Sequence, residues 1–98
     1  AGRERFSSNE LYLYNMGCVY GRAVEALKKQ SATADRDKLI DNYQQLALRD
    51  LKKAVELGFD DLAWMKQDPD LAAFQPLADF QKITEMKPGE GKSDETRT

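Results

Sequence analysis

The side chains able to do chemistry are few, and their types exclude more than they offer. The 98 residues contain no histidine. That removes serine–histidine and cysteine–histidine nucleophile pairs, histidine general bases and every histidine-containing metal site. The single cysteine, Cys18, cannot close an intramolecular disulfide or build a zinc knuckle. It falls between Gly17 and Val19 in a helical pattern, where a buried thiol acts as a small hydrophobe. Asp60, Asp61, Asp68 and Asp70 form an acidic cluster that invites a calcium reading. Their spacing lacks the alternating ligands, central glycine and terminal glutamate of an EF-hand. Asp61 and Asp68 have simpler work as helix caps. Gly91-Lys92-Ser93 matches the end of a phosphate-binding loop, but the glycine required five positions earlier is Met86. No catalytic, cofactor-binding or metal-ligating set emerges, so a non-enzymatic chain without cofactors is expected.

Bulk composition narrows the class further. Hydrophobic residues make up 41% and charged residues 33%, too apolar for a disordered chain and too polar for a membrane protein. No stretch approaches the roughly 20 apolar residues of a bilayer span. A net charge of −2, with 15 basic and 17 acidic residues well mixed, argues against electrostatic binding to nucleic acid or anionic lipid. The chain opens at Ala1 and not Met, so a piece of a longer polypeptide is expected. A cytoplasmic location is the expectation, with an upstream membrane anchor in the parent chain left open.

The elements that would position these residues read as helices. Residues 1–8 form a short charged lead, residues 9–86 hold nearly all the apolar side chains, and residues 87–98 read as a disordered tail. Leu13, Met16, Gly17, Tyr20, Val24 and Leu27 repeat at three- and four-residue steps, one face of a helix. Ser7 and Glu10 have capping-box spacing, which starts that helix near Ser8, and Glu25 lies four before Lys29 as a favourable pair. Gln30–Asp35 reads as a loop, with Asp35 capping a second helix that runs to Leu57. Ile40, Tyr43, Ala47, Leu51, Ala54 and Val55 form its stripe, and Gly58 supplies the position that ends it. Short helices follow, one through Leu62, Trp64 and Met65, one opened by Asp68-Pro69, and one after Pro76 through Leu77, Phe80 and Ile83. Nothing alternates with period two for long enough to make a strand. The expected fold is all-α, a long antiparallel helical hairpin capped by two or three short helices. Its core would couple Leu13, Met16, Tyr20 and Val24 to Tyr43, Ala47, Leu51 and Ala54, with Trp64, Leu71, Phe74, Leu77 and Phe80 closing the open end.

Two patterns in this hairpin resemble a known repeat. Gly17 and Tyr20, three apart, followed by Ala47, Leu51 and Ala54, resemble the two helices of a tetratricopeptide unit. Small residues there let backbones approach while Tyr20 and Leu51 fill the remaining space. Tyr20 and Ala47 are 27 positions apart where the ordinary repeat has nine, so the unit is stretched by 18 residues, and Leu13 stands at the usual tryptophan position. More of the chain, about residues 12–84, is similar to a bacterial variant of the repeat. The string Tyr14-Asn15-Met16-Gly17-Cys18-Val19-Tyr20 looks like its first helix. Gly58-Phe59-Asp60, Asp68-Pro69-Asp70-Leu71, Pro76-Leu77 and Asp79-Phe80-Gln81 look like its ending. That ending closes arrays that follow serine/threonine protein kinase domains in planctomycete-type bacteria. The resemblance implies a terminal protein–protein interaction unit. An alternative it implies is a regulatory C-terminal domain that controls a kinase's activity or substrate recruitment.

A single repeat cannot bury its apolar face alone. Leu11, Tyr14 and Cys18 are therefore expected to stay exposed and to meet upstream repeats of the same chain or a second copy in a homodimer. In a repeat the first helix lines the ligand groove, so Asn15, Val19 and Arg22 are candidates for contact with a protein or peptide partner. Trp64 is read as sealing the hairpin's end.

Overall fold

Amphipathic periodicity and end chemistry produce two long helices here. A computed structural model describes residues 8–89. α1 spans Ser8–Lys28, with Glu10 in its first turn and Lys28 in its last, each on the favourable end of the helix dipole. Ser7 of the expected capping box lies outside the described residues. α2 spans Ala34–Glu56. Thr33, and not Asp35, is its cap: it holds an extended backbone and its hydroxyl accepts the Arg36 N–H at 3.0 Å. Asp35 instead joins Asp37 in the first turn, where a carboxylate favours the helix dipole. Arg36 reaches back to donate to the Gln30 carbonyl at 3.0 Å, tying the connecting loop to the helix it starts.

α2 ends in a Schellman arrangement. Gly58 N–H donates to Val55 O at 3.0 Å and Phe59 N–H to Ala54 O at 2.9 Å. Gly58 has φ +122°, a region costly for any side chain. The short elements follow: α3 (Leu62–Met65), a 3-10 helix (Pro69–Phe74) and α4 (Ala78–Ile83). Asp61 accepts the Trp64 N–H at 3.2 Å and Asp68 accepts the Asp70 N–H at 2.9 Å, so both carboxylates cap a helix. There is no strand among the described residues, and the fold is all-α.

α1 and α2 pack side by side. Ala47, Leu51, Ala54 and Val24 are fully buried between them. A methyl group added at Gly17 would stand 2.6 Å from the Leu51 side chain, so glycine sets how closely the helices meet. Farther along, the Tyr20 and Tyr43 rings stack with centroids 5.8 Å apart. Complete burial of a side chain such as Leu51 is worth about 2 kcal/mol in area removed from water.

The chain after Gly58 then folds back over α1. Phe59, Met65, Leu71, Phe74 and Phe80 are all buried, and Phe74 packs against Phe80. Trp64 departs from expectation: it is 45% exposed while Met65 goes inside. α3 is a single turn in which Leu62 and Met65, three apart, share the inward face, and Trp64 points away. Glu25 also departs. Beside the buried Gly21–Val24 stripe it turns inward, and its Oε1 is buried without a hydrogen-bond partner, so it is not the solvent-side pair for Lys29. Residues 87–89, read as tail, come back to α2: Gly89 N–H donates to Val55 O at 2.8 Å. Residues 1–7 and 90–98, which include Gly91-Lys92-Ser93, lie outside the described residues.

Candidate functional site

Among the described residues, the densest meeting of reactive side chains lies where α1 faces the 3-10 helix. Positions 14, 18 and 21 rise one turn at a time along one side of α1. Tyr14 is only 6% exposed. Its ring stacks on Phe59 with centroids 4.3 Å apart and planes 9° from parallel. Its hydroxyl donates to Asp68 Oδ2 at 2.5 Å, and Cys18 Sγ lies 3.7 Å from that same oxygen. Asp68 Oδ1 meanwhile accepts the Asp70 N–H. One buried carboxylate therefore caps the 3-10 helix and binds α1 across more than fifty residues of sequence.

Glycine makes the approach close enough. A methyl group at Gly21 would collide with the Asp70 carbonyl oxygen and would stand 3.3 Å from the Phe74 ring. The two chain segments touch backbone to backbone there.

The electrostatics hold both hydroxyl and thiol in their neutral forms. Burial, reinforced by the bond to Asp68 and the charge of that carboxylate, drives the Tyr14 phenol far above its ordinary range. Burial, followed by the charges of Asp68 and Asp70, pushes the Cys18 thiol up to about 12. A neutral thiol is a poor nucleophile and a poor metal ligand. The donor atoms of Cys18, Asp68 and Asp70 do fall within 4.8 Å of one another. The oxygens of Asp68 are already engaged by Tyr14, Cys18 and a backbone amide. The arrangement works as a polar latch that holds the C-terminal segment to α1.

This geometry redistributes the six candidate contact residues. Tyr14 is buried and Cys18 half-buried, so at these two positions the face expected to stay open for a neighbour is covered by the chain's own Phe59 and Asp68, and Leu11 beside them is half-buried. Asn15, Val19 and Arg22 lie on the solvent side of α1. They are joined there by Tyr12, which the reading of the sequence missed. The signal for it was present, since Tyr12, Asn15, Val19 and Arg22 follow three- and four-residue steps. The same holds for the latch. Tyr14, Cys18 and Gly21 form a second stripe beside the one through Leu13, Gly17, Tyr20 and Val24.

Comparison with protein-family models, with curated proteins and with solved structures finds no match to this chain. Any functional reading rests on its own residues.

Proposed function

We propose that this chain is a non-catalytic protein-contact unit, a terminal, tetratricopeptide-like helical domain that meets its neighbour through the outer face of α1. The observation that carries the reading is a stripe of exposed apolar side chains. Tyr12 is 63% and Val19 54% exposed, and they stand seven residues, or about 10 Å, apart on one side of the helix. Asn15 lies between them and Arg22 follows, both exposed, giving the mixture of anchors and polar groups common at protein interfaces. The reading also draws support from asymmetry. One side of α1 is closed by α2, a second by the latch and Phe59, and the third is left to solvent. A unit that ends a stack needs one such open face.

The test is site-specific photo-crosslinking. A benzophenone amino acid replaces Val19 in the native full-length polypeptide, with the exposed Lys66 position as control. The proposal predicts one discrete adduct, or one defined intramolecular link, from position 19 that disappears with Tyr12→Glu and is absent from position 66. Matching diffuse adducts from both positions would overturn it.

A further inference from the structure

We infer that the groove between α2 and α4 is a second docking site, and that its occupant is an acidic, amphipathic peptide segment of another protein. This surface is separate from the outer face of α1, so either can fail without the other. The groove has a volume of about 560 Å³, and Leu48, Ile83 and Met86 are the apolar side chains that line it. Arg49 and Lys52 come from the α2 side and Lys82 from the α4 side. All three are exposed, and among the described residues Asp79 is the one carboxylate that lines the groove with them. Arg49 is paired with the adjacent Asp50, so Lys52 and Lys82 against Asp79 leave a modest local excess of positive charge on a chain whose net charge is −2. Arg49 is also held in place, since its Nε and Nη2 reach one oxygen of the buried Asp50 at 3.2 and 3.1 Å. A fixed guanidinium loses less freedom on meeting a carboxylate than a mobile one does.

The combination selects among anionic partners. Cations on both walls favour acidic groups on both flanks of a ligand. The apolar lining between them rewards side chains such as leucine or phenylalanine, which a phosphate backbone does not carry. Three cations, one already paired with Asp50 and the set opposed by Asp79, are too few to hold a nucleic acid or an anionic membrane by charge alone. The ligand that satisfies walls and floor together is a short segment with apolar residues three or four apart and acidic residues beside them.

The probe is a phage-displayed library of random peptides about 12 residues long, selected on the intact 98-residue chain. The strongest synthetic winners are then titrated against isotope-labelled protein. The expected winners are enriched in Asp and Glu beside large apolar residues and shift amide signals of residues 45–52 and 79–86. They bind at least tenfold more weakly to Lys52→Glu/Lys82→Glu, and several-fold more weakly when salt is raised about tenfold. Lys52→Gln/Lys82→Gln gives a smaller loss in the same direction and guards against a folding artefact, which circular dichroism checks directly. The inference is overturned by no enrichment, by winners lacking acidic residues, or by undiminished binding to both double variants. Equal binding of phosphatidylserine vesicles or a single-stranded oligonucleotide at the same groove would overturn it as well.

Discussion

α1 has two seams, and they are built on different principles. Against α2 it uses shape: Gly17 under Leu51, with Ala47, Ala54 and Val24 completing a dry contact. Against the C-terminal segment it uses a polar lock: Tyr14 and Cys18 on Asp68, with Gly21 pressed to the Asp70 carbonyl. An apolar seam tolerates adjustment because side chains can change rotamer. A seam that joins backbone to backbone and seats one carboxylate has no such slack. The first seam joins the two long helices, and the second decides which side of α1 stays exposed.

Substituting the two glycines breaks the comparison most sharply. Gly21→Ala should cost about 2–3 kcal/mol in denaturant unfolding, because the obstacle is a main-chain oxygen. Gly17→Ala should cost less, about 1–2 kcal/mol, since the obstacle is the Leu51 side chain and not backbone, and alanine favours the helix by about 1 kcal/mol. Equal costs would erase the distinction between the seams. Tyr14→Phe keeps the stacking on Phe59 and removes only the hydroxyl, so it isolates the polar lock. It should cost about 1.5–3 kcal/mol, the range for a hydrogen bond to a charged acceptor. A melting curve identical to wild type would deny the lock any energetic role.

Alkaline pH probes the same lock without mutation. Cys18 and Tyr14 both have folded-state values raised above their unfolded ones, so the neutral forms favour the fold. Their contribution is fully present below about pH 9 and is lost as pH rises from there through the folded value of about 12 for Cys18. Stability should therefore decline above about pH 9, and the decline should be shallower in Tyr14→Phe and in Cys18→Ala. Smallest is the effect of Asp61→Ala, which removes the cap of α3 and should cost about 1 kcal/mol by thermal unfolding. Asp61 bonds to neither seam and adds only the least of the charges felt by Tyr14, so a larger loss would show that α3 braces one of them.

The two seams also differ in how much of them the sequence discloses. Gly17, Ala47, Leu51 and Ala54 announce the shape-based seam, because small and large residues at helical steps report directly on a packed face. Asp61 and Asp68 were legible as caps, since capping depends on neighbours two or three positions away. The second role of Asp68 was not legible, because its partner Tyr14 is 54 positions distant and no local rule links them. Tyr14 therefore looked like an exposed contact residue when it is a buried anchor. Trp64, in a short element between helices, reads as sealing the hairpin's end, whereas the single turn of α3 gives the inward place to Met65.

The C-terminal segment occupies the inner side of α1 and leaves the outer stripe through Tyr12 and Val19 exposed. The reactivity of the lone Cys18 toward a small thiol reagent near pH 8 tests this most directly. With its thiol pushed up to about 12, it should be alkylated roughly 1000-fold more slowly in the native chain than in the unfolded one. Asp68→Ala, which removes the latch carboxylate, should restore part of the lost rate, since burial is the larger cause of the shift and the carboxylate's charge the next. Native labelling as fast as in denaturant would mean that the inner side of α1 is open, and would contradict the assignment of the latch and of the contact face together.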